Sequence, residues 1–234
     1  MALLKVGVIC ACSGAALLLA GPLGTRAGLW PFVVGFALLG AGLLDGLAGA
    51  SLSLMAGFKT GRWRDAMVGI ALGLTVVAIP SAQVLAAAGA PPIHDITTDT
   101  ADPPAFVQAR PLRRNAANPS DYPGAAVAEQ QRRAYPDIQP VTLSMPVAAA
   151  FDRALATARG LGWSLTGAAP VEGRIEAVDT TFWFGFEDDV VIRVRPVDGG
   201  SRIDVRSTSR VGVGDLGANA RRIRRFLAGV RAGN

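Results

Sequence analysis

The sequence predicts an α-helical membrane segment of three transmembrane helices followed by an α+β soluble domain, an antiparallel β-meander with two helices packed on one face. Three observations carry that expectation. Long apolar runs crowd into residues 1–90. Later segments alternate apolar and charged residues with a period of two, as strands with one buried face do. Two further segments place apolar residues at helical spacing.

The membrane region, residues 1–90, contains apolar runs at about 6–23, 29–57 and 66–88. Each approaches or exceeds the roughly 20 residues a helix needs to cross a ~30 Å hydrocarbon core. The first run lacks a small-residue cleavage site followed by polar sequence, so it reads as a span and not as a signal peptide. Lys59, Arg62 and Arg64 make the second connection the most basic, Lys5 marks the N-terminus, and Arg26 is the sole basic residue of the first connection. The positive-inside rule then puts the N-terminus in the cytoplasm. Three spans carry the rest of the chain to the other side, the periplasm if the membrane is a bacterial inner membrane. Trp30 and Trp63 stand at span ends, where interfacial aromatics belong.

Asp45 falls mid-run, where an acid costs ~2.5–3.5 kcal/mol on insertion scales. Two readings follow: hydrogen bonding or protonation beside Ser13, Thr75, Ser81 or Gln83, or a proton, ion or partner-subunit role. Gly42, Gly46 and Ala50, and Gly69 and Gly73, recur every fourth residue, which lets helices approach closely within one chain or between chains.

Residues 91–140 read as a Pro-rich extended linker. Nine prolines break any long helix, and only 125–134 is free enough of breakers for a short one. The segment 93–99, IHDITTD, holds the chain's only histidine, His94, with Asp95 and Asp99. That grouping suggests a metal-assisted or His–Asp catalytic site. The competing reading is that Asp and Thr side chains tie down local turns.

The soluble domain, 141–234, begins with a short strand at 141–144. A helix then starts at Met145-Pro146, with Val147, Phe151, Leu155 and Ala158 on one face and Gly160 and Gly162 at its end. Strands are expected at 162–166, 174–181, 190–197 and 202–210, with Asp198-Gly199-Gly200 as a hairpin signal. One sheet face is apolar and the other charged, the pattern of a sheet covered on one side. The last helix, 215–231, buries Leu216, Ala220, Ile223, Leu227 and Val230, with Asp215 as its cap and Arg221, Arg222, Arg224 and Arg225 outward.

Between the second and third of these strands lies an aromatic, acidic corner: Thr180, Phe182, Trp183, Phe184, Phe186, Glu187, Asp188 and Asp189. Phe182, Phe184 and Phe186 would share one strand face. Aromatics beside acids suit an apolar ligand with a cationic head or a divalent cation, whereas a core of Phe beside a solvated acidic turn is the bland alternative. Arg193, Arg195 and Arg206 lead an arginine face that suits either cross-strand ion pairs or an anionic lipid headgroup. Residues 91–234 carry 18 Arg against 16 acids, a net charge of +2 that gives no nucleic-acid footprint. Both cysteines, Cys10 and Cys12, lie in the first run, which excludes a disulfide framework from the soluble part. No G-x-S-x-G, H-E-x-x-H, C-x-x-C or Walker spacing occurs, so no cofactor and no confident metal site is expected.

The stretch 174–196, RIEAVDTTFWFGFEDDVVIRVRP, and the later run SRIDVRSTSRVGVGDLGANARRIRRFL resemble the uncharacterised DUF1499 family, as do 93–99 and 135–138. The resemblance covers about 91–231 and implies no established activity. The expected function is therefore an envelope binding protein for a ligand, lipid or protein partner, through the Phe182–Asp189 corner and the arginine face. The alternatives are a metal-assisted hydrolase on His94, Asp95 and Asp99, and a membrane subunit of a larger complex; the oligomeric state is left open.

Overall fold

A computed structural model describes residues 1–233. The elements run α1 (Ala2–Arg26), α2 (Phe32–Thr60), α3 (Trp63–Ala86), β1 (Asp95–Thr97), α4 (Ala109–Leu112), α5 (Ala125–Ala134) and β2 (Val141–Leu143), then α6 (Val147–Gly160), β3 (Ser164–Ala169), β4 (Arg174–Thr180), β5 (Glu187–Val197), β6 (Gly200–Ser209) and α7 (Ala218–Ala232). They form two compact units. One is Met1–Ala88 together with Phe182–Gly185; the other is Gly89–Thr181 together with the chain from Phe186 on.

In the first unit, α1, α2 and α3 are 25, 29 and 24 residues long and apolar enough to cross a membrane. The buried side of α2 is Gly35, Gly42, Gly46, Gly49, Ala50, Ser53, Ala56 and Gly57, a face of small residues. It is used within the chain. A Cβ added to Gly14 would lie 2.8 Å from the Gly42 carbonyl oxygen, and one on Gly73 would strike the Gly46 carbonyl and sit 2.8 Å from the Ala50 nitrogen. In a bilayer, whose tails are as apolar as leucine, helices of this kind would associate through close packing and not through burial from water. Asp45 Oδ2 accepts a hydrogen bond from Ser13 Oγ at 2.7 Å, one of the four partners the sequence offered.

The second unit is a six-stranded antiparallel sheet in the order β1-β6-β5-β4-β3, with β2 also on β6. β5 and β6 form the long central hairpin, closed where Val197 pairs with Gly200. Gly199 supplies the left-handed conformation (φ 76°) that this turn needs. The outer edge of β6 is shared: β1 pairs with 206–208 and β2 with 201–203. Helices α6 and α7 cover one face, where Ile175, Ile192, Val194, Ile203 and Val205 meet Phe151, Ile223, Phe226 and Leu227. Trp163 stacks on Phe226 with ring centroids 5.5 Å apart. The α+β domain expected from periodicity is the one observed.

Four local expectations are corrected. Leu216 is exposed, precedes α7 and has φ +52°, while Phe226 completes the buried stripe. Arg222 is buried, not outward. Glu187, Asp188 and Asp189 begin β5 and do not form a solvated turn. The charged sheet face is covered too, and the cover is the segment expected to be a linker. Ile93, Ile96, Tyr135 and Ile138 enter the main core, and Phe106 and Ala109 pack on Val191 from the opposite side. Gln131 of α5 completes the edge of β1, accepting from the Thr97 N–H (3.0 Å) and donating to the Thr97 carbonyl (2.6 Å) as a neighbouring strand would.

Candidate functional site

The pleat sends successive side chains of β5 to opposite faces, and this splits the acidic corner. Asp188 points to the helical side, where its Oδ2 accepts from Arg222 Nη2 at 2.6 Å; Asp179 Oδ2 takes Arg222 Nε, also at 2.6 Å. Asn219 Oδ1 and Ser207 Oγ accept from Arg222 Nη1. Asn219 in turn donates to the His94 carbonyl and to Ser209 Oγ, and Asp215 accepts the backbone N–H groups of Gly217 and Asn219 ahead of α7. Burial pushes the Asp215 carboxyl up, its N–H donors from Asn219 and Gly217 oppose this, and the negative charge of Asp188 adds to the rise.

On the other face Asp189 accepts from Arg113 Nη1 (2.7 Å) and from both Arg210 Nε and Nη2, while Glu187 pairs with Arg210 Nη1. Arg206, 2% exposed, forms a two-pronged pair with Asp95 at 2.9 and 2.7 Å. Its guanidinium lies over the rings of Phe106 (4.9 Å) and Tyr122 (5.4 Å). Burial, followed by the Asp95 charge, pushes the Tyr122 hydroxyl up to about 12. A physical logic runs through this face. An irregular, Pro-rich cover has more carbonyls than N–H donors, because proline has no N–H. Arg206 and Arg113 donate to the carbonyls of Pro104, Ser120, Asn118 and Pro119, and Glu176 accepts the N–H groups of Val107, Gln108 and Ala109 at 3.0–3.1 Å. The charges serve to satisfy buried backbone.

Nearer solvent, Arg193, Arg195 and Arg202 interlock with Asp99, Asp102 and Asp204 at 2.8–3.5 Å. Three cations meet three carboxylates, so this part of the arginine face has no surplus positive charge. Burial raises the Asp99 carboxyl, but the N–H groups of Asp102 and Ala101 and the guanidiniums of Arg202 and Arg193 outweigh it and hold it below 3.8.

His94, Asp95 and Asp99 do not converge. His94 Nδ1 lies 3.2 Å from the Val213 carbonyl, Asp95 is bound to Arg206, and Asp99 is bound to the interlocked arginines. Among the described residues no group of three His, Cys, Asp or Glu side chains is placed to hold a metal ion.

The aromatics form the tip between β4 and β5. Thr180 pairs with Glu187 as the last rung of the ladder. The Thr181 N–H donates to the Phe186 carbonyl and the Phe186 N–H to Thr181 Oγ1, both at 2.8 Å, and Gly185 (φ 69°) turns the chain. The aromatics are thus in a turn, not on one strand face as expected. Phe182 is 71% exposed and Trp183 43%, their rings edge to face at 5.1 Å. Within the first unit, Arg26 Nη1 donates to the Phe182 carbonyl at 2.6 Å, and Phe184 lies 4.7 Å from Phe36 of α2. Reading by sequence took Asp179 only as a counter-charge to the arginine face, missed Arg26, Arg113 and Asn219 as site residues, and set Arg222 outward. The last two offered a signal: polar residues three apart on a helix whose next residue, Ile223, is buried.

The family described as "protein of unknown function (DUF1499)" matches residues 95–230. No curated protein matches the chain.

Proposed function

The chain belongs to the DUF1499 family, and from that premise and the geometry above we propose a membrane-anchored lipid-binding protein of the bacterial cell envelope. Three spans hold it in the inner membrane with the N-terminus in the cytoplasm, an orientation supported by the basic N-terminus and second connection. The α+β domain is then periplasmic. Its contact element is the tip Phe182–Phe184.

One observation carries this reading. The tip exposes two large aromatics on a hairpin whose neighbouring acids, Glu187, Asp188 and Asp189, are all taken up by arginines. What remains available there is apolar surface with an indole N–H, the chemistry of a membrane interface. The same consumption of charge argues for binding over catalysis, since Asp95 and Asp99 are held by arginines. It also favours a lipid over an anionic soluble ligand, because the interlocked arginines are neutralised.

Native mass spectrometry of the gently extracted full-length protein tests the proposal. Wild type is expected to retain lipid. A Phe182→Ser/Trp183→Ser variant is expected to lose it while its stability changes by no more than the ~0.5 kcal/mol usual for surface positions. Lipid retained equally by the variant, or a bound polypeptide in place of lipid, overturns the proposal.

A further inference from the structure

We propose that a recess in the membrane unit is a seat for one hydrocarbon chain of a membrane lipid, closed at its end by the aromatic tip. This rests on the lipid-binding reading above and names its site. The recess holds about 190 Å³ and is walled by Leu18 and Pro22 of α1, Leu39 of α2, Pro80 of α3, and Trp183 and Phe184 of the tip. Only Gln83 among the residues lining it carries a polar side chain other than the Trp183 indole.

Four features of the recess converge. The first concerns why the helices part there. Pro22 and Pro80 are both inside helices. Proline removes an i→i−4 hydrogen bond and its ring crowds the preceding turn, so two of the three walls carry a helix-loosening residue at the same recess. Towards the other end of the bundle, Gly42, Gly46 and Gly73 close the helices on one another. The second concerns depth. Pro22 lies four residues before the end of α1, Leu39 seven after the start of α2, and Pro80 six before the end of α3. At 1.5 Å per residue that is roughly 6–11 Å from the helix ends, where the upper part of an acyl chain runs.

The third concerns what can fill the space. The recess is open on one side and its walls offer few hydrogen-bond partners, of which a bound water needs about two to four, so its 190 Å³ suits a short length of hydrocarbon better than ordered water. Left empty, every wall would forfeit its dispersion contacts. The fourth concerns the closure. Phe184 is fixed against Phe36 and the Phe182 carbonyl is held by Arg26 Nη1, so Trp183 and Phe184 are positioned over the recess by contacts independent of any occupant. Because lipid is as apolar as leucine, selection comes from shape and not from hydrophobicity. With the N-terminus cytoplasmic, the chain belongs to the outer leaflet.

The test uses full-length protein in vesicles of phosphatidylethanolamine and phosphatidylglycerol doped with a phosphatidylcholine bearing a diazirine on its acyl chain. After irradiation, digestion and mass spectrometry, crosslinks are expected to concentrate on peptide 175–193, which holds the tip. Leu39→Trp, which fills the recess and leaves the tip intact, is expected to cut that labelling about tenfold, the change that ~1.4 kcal/mol of lost binding gives. Val68→Trp, on an exposed part of α3, is expected to leave it unchanged. Leu18→Phe repeats the filling from another helix should Leu39→Trp fail to fold. Tip labelling that persists through both filled variants overturns the seat but leaves the lipid-binding reading standing. No labelling of the tip in wild type overturns both.

Discussion

Arg206 shows how tightly single residues are bound into this fold. Its guanidinium is buried with the Asp95 carboxylate, and removing one member of such a pair leaves an uncompensated charge in a dry interior. Arg206→Ala is expected to lower unfolding stability by about 3–5 kcal/mol in denaturant titration. The double variant Asp95→Leu/Arg206→Met is expected to recover most of that loss, because neither charge is then buried alone. Asp99 makes the corresponding pH statement. Its folded pKa lies below its ordinary 3.8, so the folded state holds fewer protons than the unfolded chain in the window between those values. Stability from Asp99 is therefore complete above about pH 4–5 and is lost as pH falls through the depressed value. Asp99→Asn is expected to flatten the acid limb of a plot of thermal midpoint against pH. Asp215 carries the opposite sign, since its carboxyl is raised.

Among elements, the entry to α7 carries backbone strain. Leu216 is the only non-glycine residue with positive φ among those described, and it is exposed. An L-residue in that region costs roughly 1–2 kcal/mol. Leu216→Gly removes the strain but enlarges the freedom of the unfolded chain, so a net gain of about 0.5–1 kcal/mol is expected, read as a raised thermal midpoint. A loss would mean that the Leu216 side chain makes contacts its exposure does not suggest. Asp215 compensates locally by accepting the N–H groups of Gly217 and Asn219. This entry positions Asn219 and Arg222, and through them Asp179 and Asp188 at the base of the tip. A continuous hydrogen-bond chain thus runs from the entry of α7 to Asp179 on β4 and Asp188 on β5.

For the whole molecule, the decisive fact is that 91–140 belongs to the folded unit. Fragment 89–234 is expected to unfold in one cooperative transition. Fragment 141–234, which lacks β1, the second core patch around Phe106, the Asp95 partner of Arg206, the Arg113 partner of Asp189 and the three backbone N–H groups that Glu176 accepts, is expected to show no cooperative transition in circular dichroism. Cooperative folding of the shorter fragment would reduce the cover to an accessory.

Much of this was legible in the chain. Period-two alternation announced β4, β5 and β6, the 3.6-residue stripe announced α6 and most of α7, and apolar length announced three helices able to cross a membrane, because each of these signals is local. Small residues every fourth position predicted the helix seam, and the structure uses it for packing within the chain. The cover was illegible because proline density reports only that a segment is not helical; it does not report whether its carbonyls will find donors. One donor, Arg206, reaches Pro104 and Ser120 from 102 and 86 residues away, and the other, Arg113, is held in place by Asp189, 76 residues on. The geometry of the corner was illegible for a related reason. FWFGFEDD looks like one ligand patch in sequence, but a strand register beginning at Glu187 separates its acids from its aromatics and sends the acids to opposite faces. Sequence by itself thus determined the types and order of the elements outside 91–140, among them three helices long and apolar enough to cross a membrane, since periodicity and hydrophobic length act along the chain. Only tertiary structure decided which charges are buried partners and which aromatics stay open, because pairing a guanidinium with a carboxylate or a carbonyl depends on distances between segments remote in sequence.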